Sequence, residues 1–251
     1  MKLYFAGSEV DFQGSNPYGV LYEANARILI SYTAKDMILK SKIFDRFDDV
    51  FIDSGAFSVY TVGATVDIDE YIQFIKEHKV KIYANLDDLK DPDQSYANYK
   101  YMLAHNLDPI PVFHYGEDIE YLKKYLDCTD YVALGGIVRL KNQIKMLKRF
   151  FDISFSIVKD KAKIHGLGVI NWELLQHYPF YSVDATSWHN PQRYGQHFSY
   201  REGRLKRIDG RRLNIHRFQT KRDQLLNSVR ELQKAEEYIT KLWAKRGIIY
   251  E

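Results

Sequence analysis

Three aspartates stand where short apolar runs give way to small and polar residues. Asp53 ends Val50-Phe51-Ile52 and leads into Ser54-Gly55-Ala56-Phe57. Asp87 lies in Asn85-Leu86-Asp87-Asp88, and Asp184 in Ser182-Val183-Asp184-Ala185-Thr186-Ser187-Trp188. Two histidines and a glycine pair hold comparable places, in Phe113-His114-Tyr115-Gly116, Leu134-Gly135-Gly136-Ile137 and Ile164-His165-Gly166-Leu167-Gly168. Any one such aspartate is equally well a helix N-cap or a turn residue. Three of them together suit glycosidic chemistry. One carboxylate attacks the anomeric carbon, another moves the proton on the departing group, and a covalent sugar–enzyme ester divides the reaction. Glycines among them let a flat ring approach backbone N–H and C=O groups.

Other chemistries lack their signatures. There is no glycine-rich phosphate loop of either common type and no Ser–His–Asp motif context. His114 and His165 fall on different strands without a metal-ligand spacing, so neither a metal nor another cofactor is expected. His189 and His197, beside a basic segment, read as surface or substrate-contact residues.

These residues need elements to bring them to one place. Strands are expected over Lys2–Ser8, Arg27–Tyr32, Asp49–Ser54, Lys81–Asp87, Ile110–Tyr115, Tyr131–Gly136, Lys163–Val169 and Phe180–Thr186, with helical patterns between them. Tyr18–Asn25 and Ala34–Phe47 read as helices. Over Asp67–Lys79, Ile68, Tyr71, Ile72 and Ile75 recur at i, i+3, i+4 and i+7 behind an Asp67–Glu70 capping box. Asp91-Pro92 opens another helix. Eight strands alternating with helices are the pattern of a (β/α)8 TIM barrel, with an open doubly wound sheet as the alternative. In such a barrel the three aspartates, His114, Gly136 and their neighbours share the mouth formed by the strand ends.

The chain of 251 residues, 45% of them hydrophobic, suits one barrel domain over 1–251 with a large core. One cysteine, Cys128, leaves no disulfide framework and no cysteine-rich zinc site. No apolar run reads as a signal peptide or a membrane span, so a soluble cytoplasmic protein with no membrane partner is expected. The net charge of +3 identifies no partner, but its distribution is uneven. Between Arg193 and Arg222 lie ten Lys or Arg residues against only Glu202 and Asp209, with Tyr194, Phe198, Tyr200 and Phe218 interleaved. That mixture suits phosphate contact and base stacking, although charge runs are often only solvated loops. Arg204, Lys206, Arg207, Arg211 and Arg212 are its candidate nucleic-acid contacts. A long amphipathic helix over Asp223–Arg246 follows this basic insertion.

The strand-end motifs resemble those of the tRNA-guanine transglycosylase superfamily, in the same order from Asp53 to Trp188. Asp53-Ser54-Gly55-Ala56-Phe57 is similar to the family's Asp-Ser-Gly-Gly-Phe, whose aspartate is the proposed general acid/base. Leu86-Asp87 resembles the step whose carboxylate reads the guanine edge. His114 stands where the family has a base-reading glutamine. Ala133-Leu134-Gly135-Gly136-Ile137 is nearly Ala-Leu-Gly-Gly-Leu, whose backbone contacts the base. Ile164-His165-Gly166-Leu167-Gly168 resembles Leu-Met-Gly-Val-Gly, and Val183-Asp184-Ala185-Thr186-Ser187-Trp188 the segment that carries the nucleophile.

The tRNA enzymes of the family bind a structural zinc through three cysteines and a histidine, which this chain cannot do. It is also shorter than the archaeal enzymes and lacks their RNA-binding domains. The compact pattern looks like the DpdA-type branch, phage or bacterial proteins that insert 7-deazaguanines into DNA. A phage-encoded member would work in its host's cytoplasm. The resemblance implies a DNA-guanine transglycosylase with Asp184 as nucleophile and Asp53 as proton carrier. Asp87, His114, Gly135, Gly136, Ile137 and His165 would hold a free 7-deazaguanine base. The alternatives are the same exchange on tRNA, an idle DNA-binding barrel, or a glycoside hydrolase.

Overall fold

A computed structural model describes residues 1–9, 16–56, 63, 65–140, 143–209 and 220–249. The chain divides into two compact units, Leu29–Gly168 and the pair of segments Met1–Ile28 with Val169–Glu251. Short strands alternate with helices throughout, giving an α/β protein with eight parallel strands before a separate antiparallel pair. Among the described residues no helix is long and apolar enough to cross a membrane.

The continuous unit holds β2 (Arg27–Ser31, from its third residue), α2 (Lys35–Lys40), α3 (Ile43–Arg46), β3 (Val50–Asp53), α4 (Ile68–Glu77) and β4 (Ile82–Tyr83). It continues through α5 (Pro92–Ala104), β5 (Val112–His114), α6 (Ile119–Leu126), β6 (Tyr131–Gly135), α7 (Ile144–Val158) and β7 (Lys163–Gly166). Strands β2, β3 and β4 are successive neighbours, as are β5, β6 and β7. Phe51 pairs with Ile82, Phe113 with Leu134, and Val132 with Ile164, all in parallel register. These strands are largely apolar on both faces, as expected where helices cover a parallel sheet. Tyr71, Ile72, Phe74 and Ile75 of α4 are buried, and the Asp67 carboxylate caps its first turn by accepting from the N–H groups of Asp69 and Glu70.

Between β4 and β5 the ladder thins to a single parallel bridge, Ala84 to Ile110. Asn85 carries this seam. Its backbone N–H donates to Ile110 O at 2.9 Å, and its side-chain Oδ1 accepts from Val112 N at 3.0 Å. Its Nδ2 donates to Ser95 O at 3.2 Å on α5. The side chain thus takes the part of a ladder bond, and it is fully buried. Tyr71 adds a tie from α4, donating its hydroxyl to Ala84 O at 2.9 Å.

The other unit contains β1 (Lys2–Ala6), α1 (Pro17–Glu23), α8 (Trp172–His177), β8 (Ser182–Ala185), α9 (Asn190–Tyr194), β9 (Gln196–Arg201), β10 (Arg204–Asp209) and α10 (Lys221–Lys245). β1 and β8 pair in parallel from Lys2–Ser182 to Phe5–Ala185. The apolar face of α10 buries Leu225, Leu226, Val229, Leu232, Ile239 and Trp243. Its Glu236 accepts from Leu3 N and from the Arg27 guanidinium.

The expected elements are all present, with altered bounds. Strand β4 is two residues long rather than seven, because beyond Asn85 the polar groups of Leu86 and Asp87 go to Asn98, Ser54 and His114 and not to a ladder. The single helix expected over Ala34–Phe47 is broken, since Lys42 takes a left-handed conformation (φ 50°) between α2 and α3. The β9–β10 hairpin occupies part of the basic segment, where sequence patterning suggested no strand. Glu202 and Gly203 turn it, both at positive φ, as a tight two-residue hairpin loop requires. Arg211 and Arg212 lie outside the described residues.

The Asn85 seam makes a stability prediction. Asn85→Ala leaves the buried Val112 N–H without its partner, at a cost of about 1–3 kcal/mol, while Ser95 C=O keeps its place in the helical ladder of α5. Urea unfolding should show a loss of roughly 1–3 kcal/mol on that basis. A loss below about 1 kcal/mol would mean that the two ends of the seam hold without the side chain.

Candidate active site

Six residues of the continuous unit make the most constrained polar cluster at the strand ends: Ser54, Asp87, His114, Glu117, Gly135 and Gly136. Asp87 is its centre. Oδ1 of Asp87 accepts from Ser54 Oγ at 2.5 Å, and Oδ2 pairs with His114 Nε2 at 2.7 Å. The Asp87 and His114 side chains are only 4% and 7% exposed. A carboxylate so far from water needs such partners to remain charged.

The loops bearing Asp87 are fixed in turn. Asn98 Nδ2 donates to Leu86 O at 2.8 Å, and Asp88 N donates to Ser95 Oγ at 2.8 Å. Ser54 Oγ, besides donating to Asp87, accepts from Ala56 N at 3.2 Å. Asp53, the last residue of β3, accepts from Gly55 N at 3.0 Å, in the manner of a turn residue. Gly55 has φ 87°, and a Cβ there would stand 2.6 Å from Thr33 Cγ2. Only glycine fits that corner.

The paired glycines have a cause within the chain itself. A Cβ on Gly135 would lie 2.9 Å from His114 Nδ1, so the ring occupying the bare face of β6 is the imidazole. A Cβ on Gly136 would meet Tyr115 N at 2.9 Å, and Gly136 has φ 72°. The sequence reading assigned these glycines to the close approach of a ligand ring. The structure gives both of them packing reasons that hold without a ligand.

Burial opposes the charged form of His114, but the hydrogen bond and charge of Asp87, followed by Glu117 and Asp53, outweigh it and raise the pKa. Glu117 is also raised, chiefly by burial and against the pull of His114. Tyr71 is pushed far up by burial and by the charges of Asp53 and Asp87. The acidic surroundings thus favour the protonated form of the His114 ring. The hydrogen-bonded order is Ser54, Asp87, His114, with the carboxylate between the other two. A hydrolytic triad places imidazole in the middle to take the serine proton, so this arrangement does not activate Ser54.

The remaining sequence candidates are placed as follows. Ile137 is buried beyond Gly136, and His165 is buried in β7 with its ring 4.8 Å from that of Phe51. Asp184 is buried in β8, in the other compact unit, where it pairs with Tyr4 of β1. His189 and His197 are not surface residues. His189 is fully buried, its Nε2 2.9 Å from Gly7 O and its ring on Trp188, while His197 is 2% exposed. Both are buried where a charged neighbourhood suggested solvent. Sequence reasoning passed over Ser54, although it lies in a quoted motif. It also passed over Glu117, whose signal is the Tyr115-Gly116 step that turns the chain back after His114. Among the described residues no group of three or more His, Cys, Asp or Glu is arranged to hold a metal ion.

Compared with known proteins, the chain matches no family model and no curated protein.

The raised His114 pKa fixes the sign of a pH effect. The folded state keeps its proton to higher pH than the unfolded chain, whose histidine loses it near pH 6.5. The stability contributed by His114 is therefore full below about pH 6.5 and lost as pH rises through the folded value. Urea melts at pH 6 and pH 8.5 should show a less stable protein at the higher pH. The difference should shrink in His114→Gln, and an undiminished difference would place its origin elsewhere.

Proposed function

We propose that the protein is a DNA-guanine transglycosylase of the tRNA-guanine transglycosylase superfamily, built as a closed (β/α)8 barrel in one domain. The observation that carries the reading is the buried Asp87–His114 pair beside the Gly135-Gly136 backbone, at strand ends where the superfamily's motifs read a base. The Ala84–Ile110 bridge supports closure, since it links the strand groups that would otherwise be open edges.

In this reading the target nucleotide leaves the stack, because its glycosidic carbon is out of reach within a duplex. Asp184 attacks that carbon as the bond to guanine breaks, and Asp53 supplies a proton to the departing base. A 7-deazaguanine then binds against Asp87, His114 and the Gly135-Gly136 backbone, with Ile137 and His165 completing the pocket. Asp53 takes its proton, and the incoming base displaces Asp184 with net retention. The protein's own carboxylates do this work, so the reading calls for no cofactor.

The β9–β10 hairpin is the proposed phosphate contact. Arg201 stands directly opposite Arg204, and both are exposed, as are Lys206 and Arg207. Like charges directly opposite each other destabilise a hairpin, which a polyanion laid across it would relieve. The Arg207 guanidinium also lies 5.8 Å from the Phe198 ring centre, pairing cation with aromatic surface. DNA is chosen over tRNA because Cys128 stands alone in a chain that resembles enzymes using three zinc-bound cysteines.

Two experiments test the reading. Replacing Arg204, Lys206 and Arg207 with glutamine should weaken DNA binding and flatten its salt dependence by about 0.9 logarithmic units per lost phosphate contact. Unchanged affinity would make the hairpin a solvated ornament of the fold. The chemical test is a denaturing gel of protein mixed with substrate DNA or tRNA. Wild type should trap a protein–DNA adduct, and Asp184→Asn none, because its amide is not an anionic nucleophile. Asp53→Asn should form the adduct slowly, by roughly a hundredfold to ten-thousandfold, for want of proton transfer. An adduct that persists in Asp184→Asn names the wrong nucleophile, and one formed only with tRNA names the wrong polymer.

A further inference from the structure

We propose that Trp172 is a stacking platform for an unpaired DNA base, held ready by two tyrosine rings and adjoined by arginines that take the neighbouring phosphates. The choice of DNA rests on the base-exchange reading, whereas the ring cluster and its cleft stand apart from it. Trp172 opens α8, where the Asn171 side chain caps the first turn by accepting from Leu174 N at 3.2 Å. Three rings from three elements meet there. The Trp172 ring centre lies 5.6 Å from that of Tyr238 on α10, tilted by 32°, and 6.0 Å from that of Tyr200 on β9, edge-on at 67°. Tyr200 and Tyr238 are themselves 5.9 Å apart, which closes the triangle. A Cβ on Gly203, in the hairpin turn, would stand 3.1 Å from the Tyr238 ring, so the turn is seated on that ring. All three aromatic residues are half-buried and belong to one compact unit.

Trp172 also walls an open cleft of about 290 Å³, lined besides by Glu173, Gln176 and His177. That volume is at the small end for ligand sites and suits one flat ring. A tryptophan face stacks on any base, and a ring already fixed by its neighbours gives up little rotamer freedom on binding. Glu173 puts a carboxylate in the lining, which repels a phosphate but accepts hydrogen bonds from the amino groups of a base edge. The cleft therefore fits the base and leaves the phosphates outside it.

Cations adjoin the cluster at both Tyr200 and Gln176. Arg201 follows Tyr200 directly and stands opposite Arg204 across the hairpin. Arg246 donates to Gln176 O at 2.6 Å, which ties its guanidinium to a residue of the lining. Arg201, Arg204 and Arg246 are all exposed. An aromatic face among exposed cations is the combination that holds single strands, the cations tracking the backbone while the ring takes a base. Extruding a target nucleotide leaves its former partner unpaired, so the base-exchange reading itself supplies such a base.

The test uses the full chain and two single strands of about twelve nucleotides, one carrying thymine throughout and one carrying a tetrahydrofuran abasic site at every position. Of the three tryptophans, Trp188 is 0% and Trp243 7% exposed, so quenching by a stacked base reports on Trp172. The thymine strand should quench the fluorescence saturably and bind about tenfold more tightly than the abasic strand. Trp172→Leu should lose that preference while the salt dependence of binding stays as it was, and Trp172→Phe should recover part of it. Equal affinity of the wild type for the two strands overturns the proposal. That comparison needs no variant, so it decides even if Trp172→Leu fails to fold. A preference that persists in folded Trp172→Leu overturns the proposal as well. The base-exchange reading fails separately. A protein that traps no adduct with DNA or tRNA, yet prefers the thymine strand, keeps the platform and sinks that reading. One that traps the DNA adduct but shows no preference keeps the reading and sinks the platform.

Discussion

Burial of the Asp87 charge is the constraint from which the neighbouring structure follows. A carboxylate removed from water costs several kcal/mol unless hydrogen bonds and an opposite charge replace its hydration. Ser54 and His114 supply them from two other strand ends, one partner on each oxygen. His114 can take that position only if the adjacent strand carries no side chain at 135, and residue 135 is glycine. Ser54 in turn sits in a corner that requires glycine at 55. Two of the glycines and both partners are thus answerable to one buried anion.

The same region holds the thinnest part of the backbone ladder. Asn85, two residues before Asp87, uses its amide to join β5 and α5 where β4 has ended. The loop from Asn85 to Asp88 is thereby held at both ends, with Asn98 and Ser95 of α5 beneath it. Polar residues that look like an approach to a ligand site are here also the scaffold on which Asp87 stands.

Much of this was legible in sequence, for reasons that differ by element. The β-branched and aromatic runs identified every strand of the parallel set, and Asp67 and Asp91-Pro92 marked helix starts that the structure retains. The bounds of β4 were not legible, because Asn85-Leu86-Asp87 reads as strand unless its side-chain partners are known. The hairpin was hidden by its charge. In Arg204–Asp209 the inward positions are only half-buried, so the two-residue period of burial is faint against the basic residues. Asp87 and His114 each stood out in sequence at a strand end, but their direct pairing did not, since 27 residues separate them. Glu117 lay beyond the strand-end rule altogether, as it reaches the site through a turn.

The division of the chain has a consequence for its synthesis. Residues Leu29–Gly168 are contiguous in the chain, whereas the other unit is made of two separated segments. Lys2 meets its partner Ser182 only after roughly 180 further residues have been added, which takes on the order of 10–35 s at typical elongation rates. Throughout that interval Leu3, Tyr4 and Phe5, all buried in the finished protein, have no β8 to pair with. Until then the nascent chain carries an apolar strand whose β8 edge is open. Such a strand is a natural substrate for a chaperone, and crowded expression of this protein would be limited first by that strand's other partners.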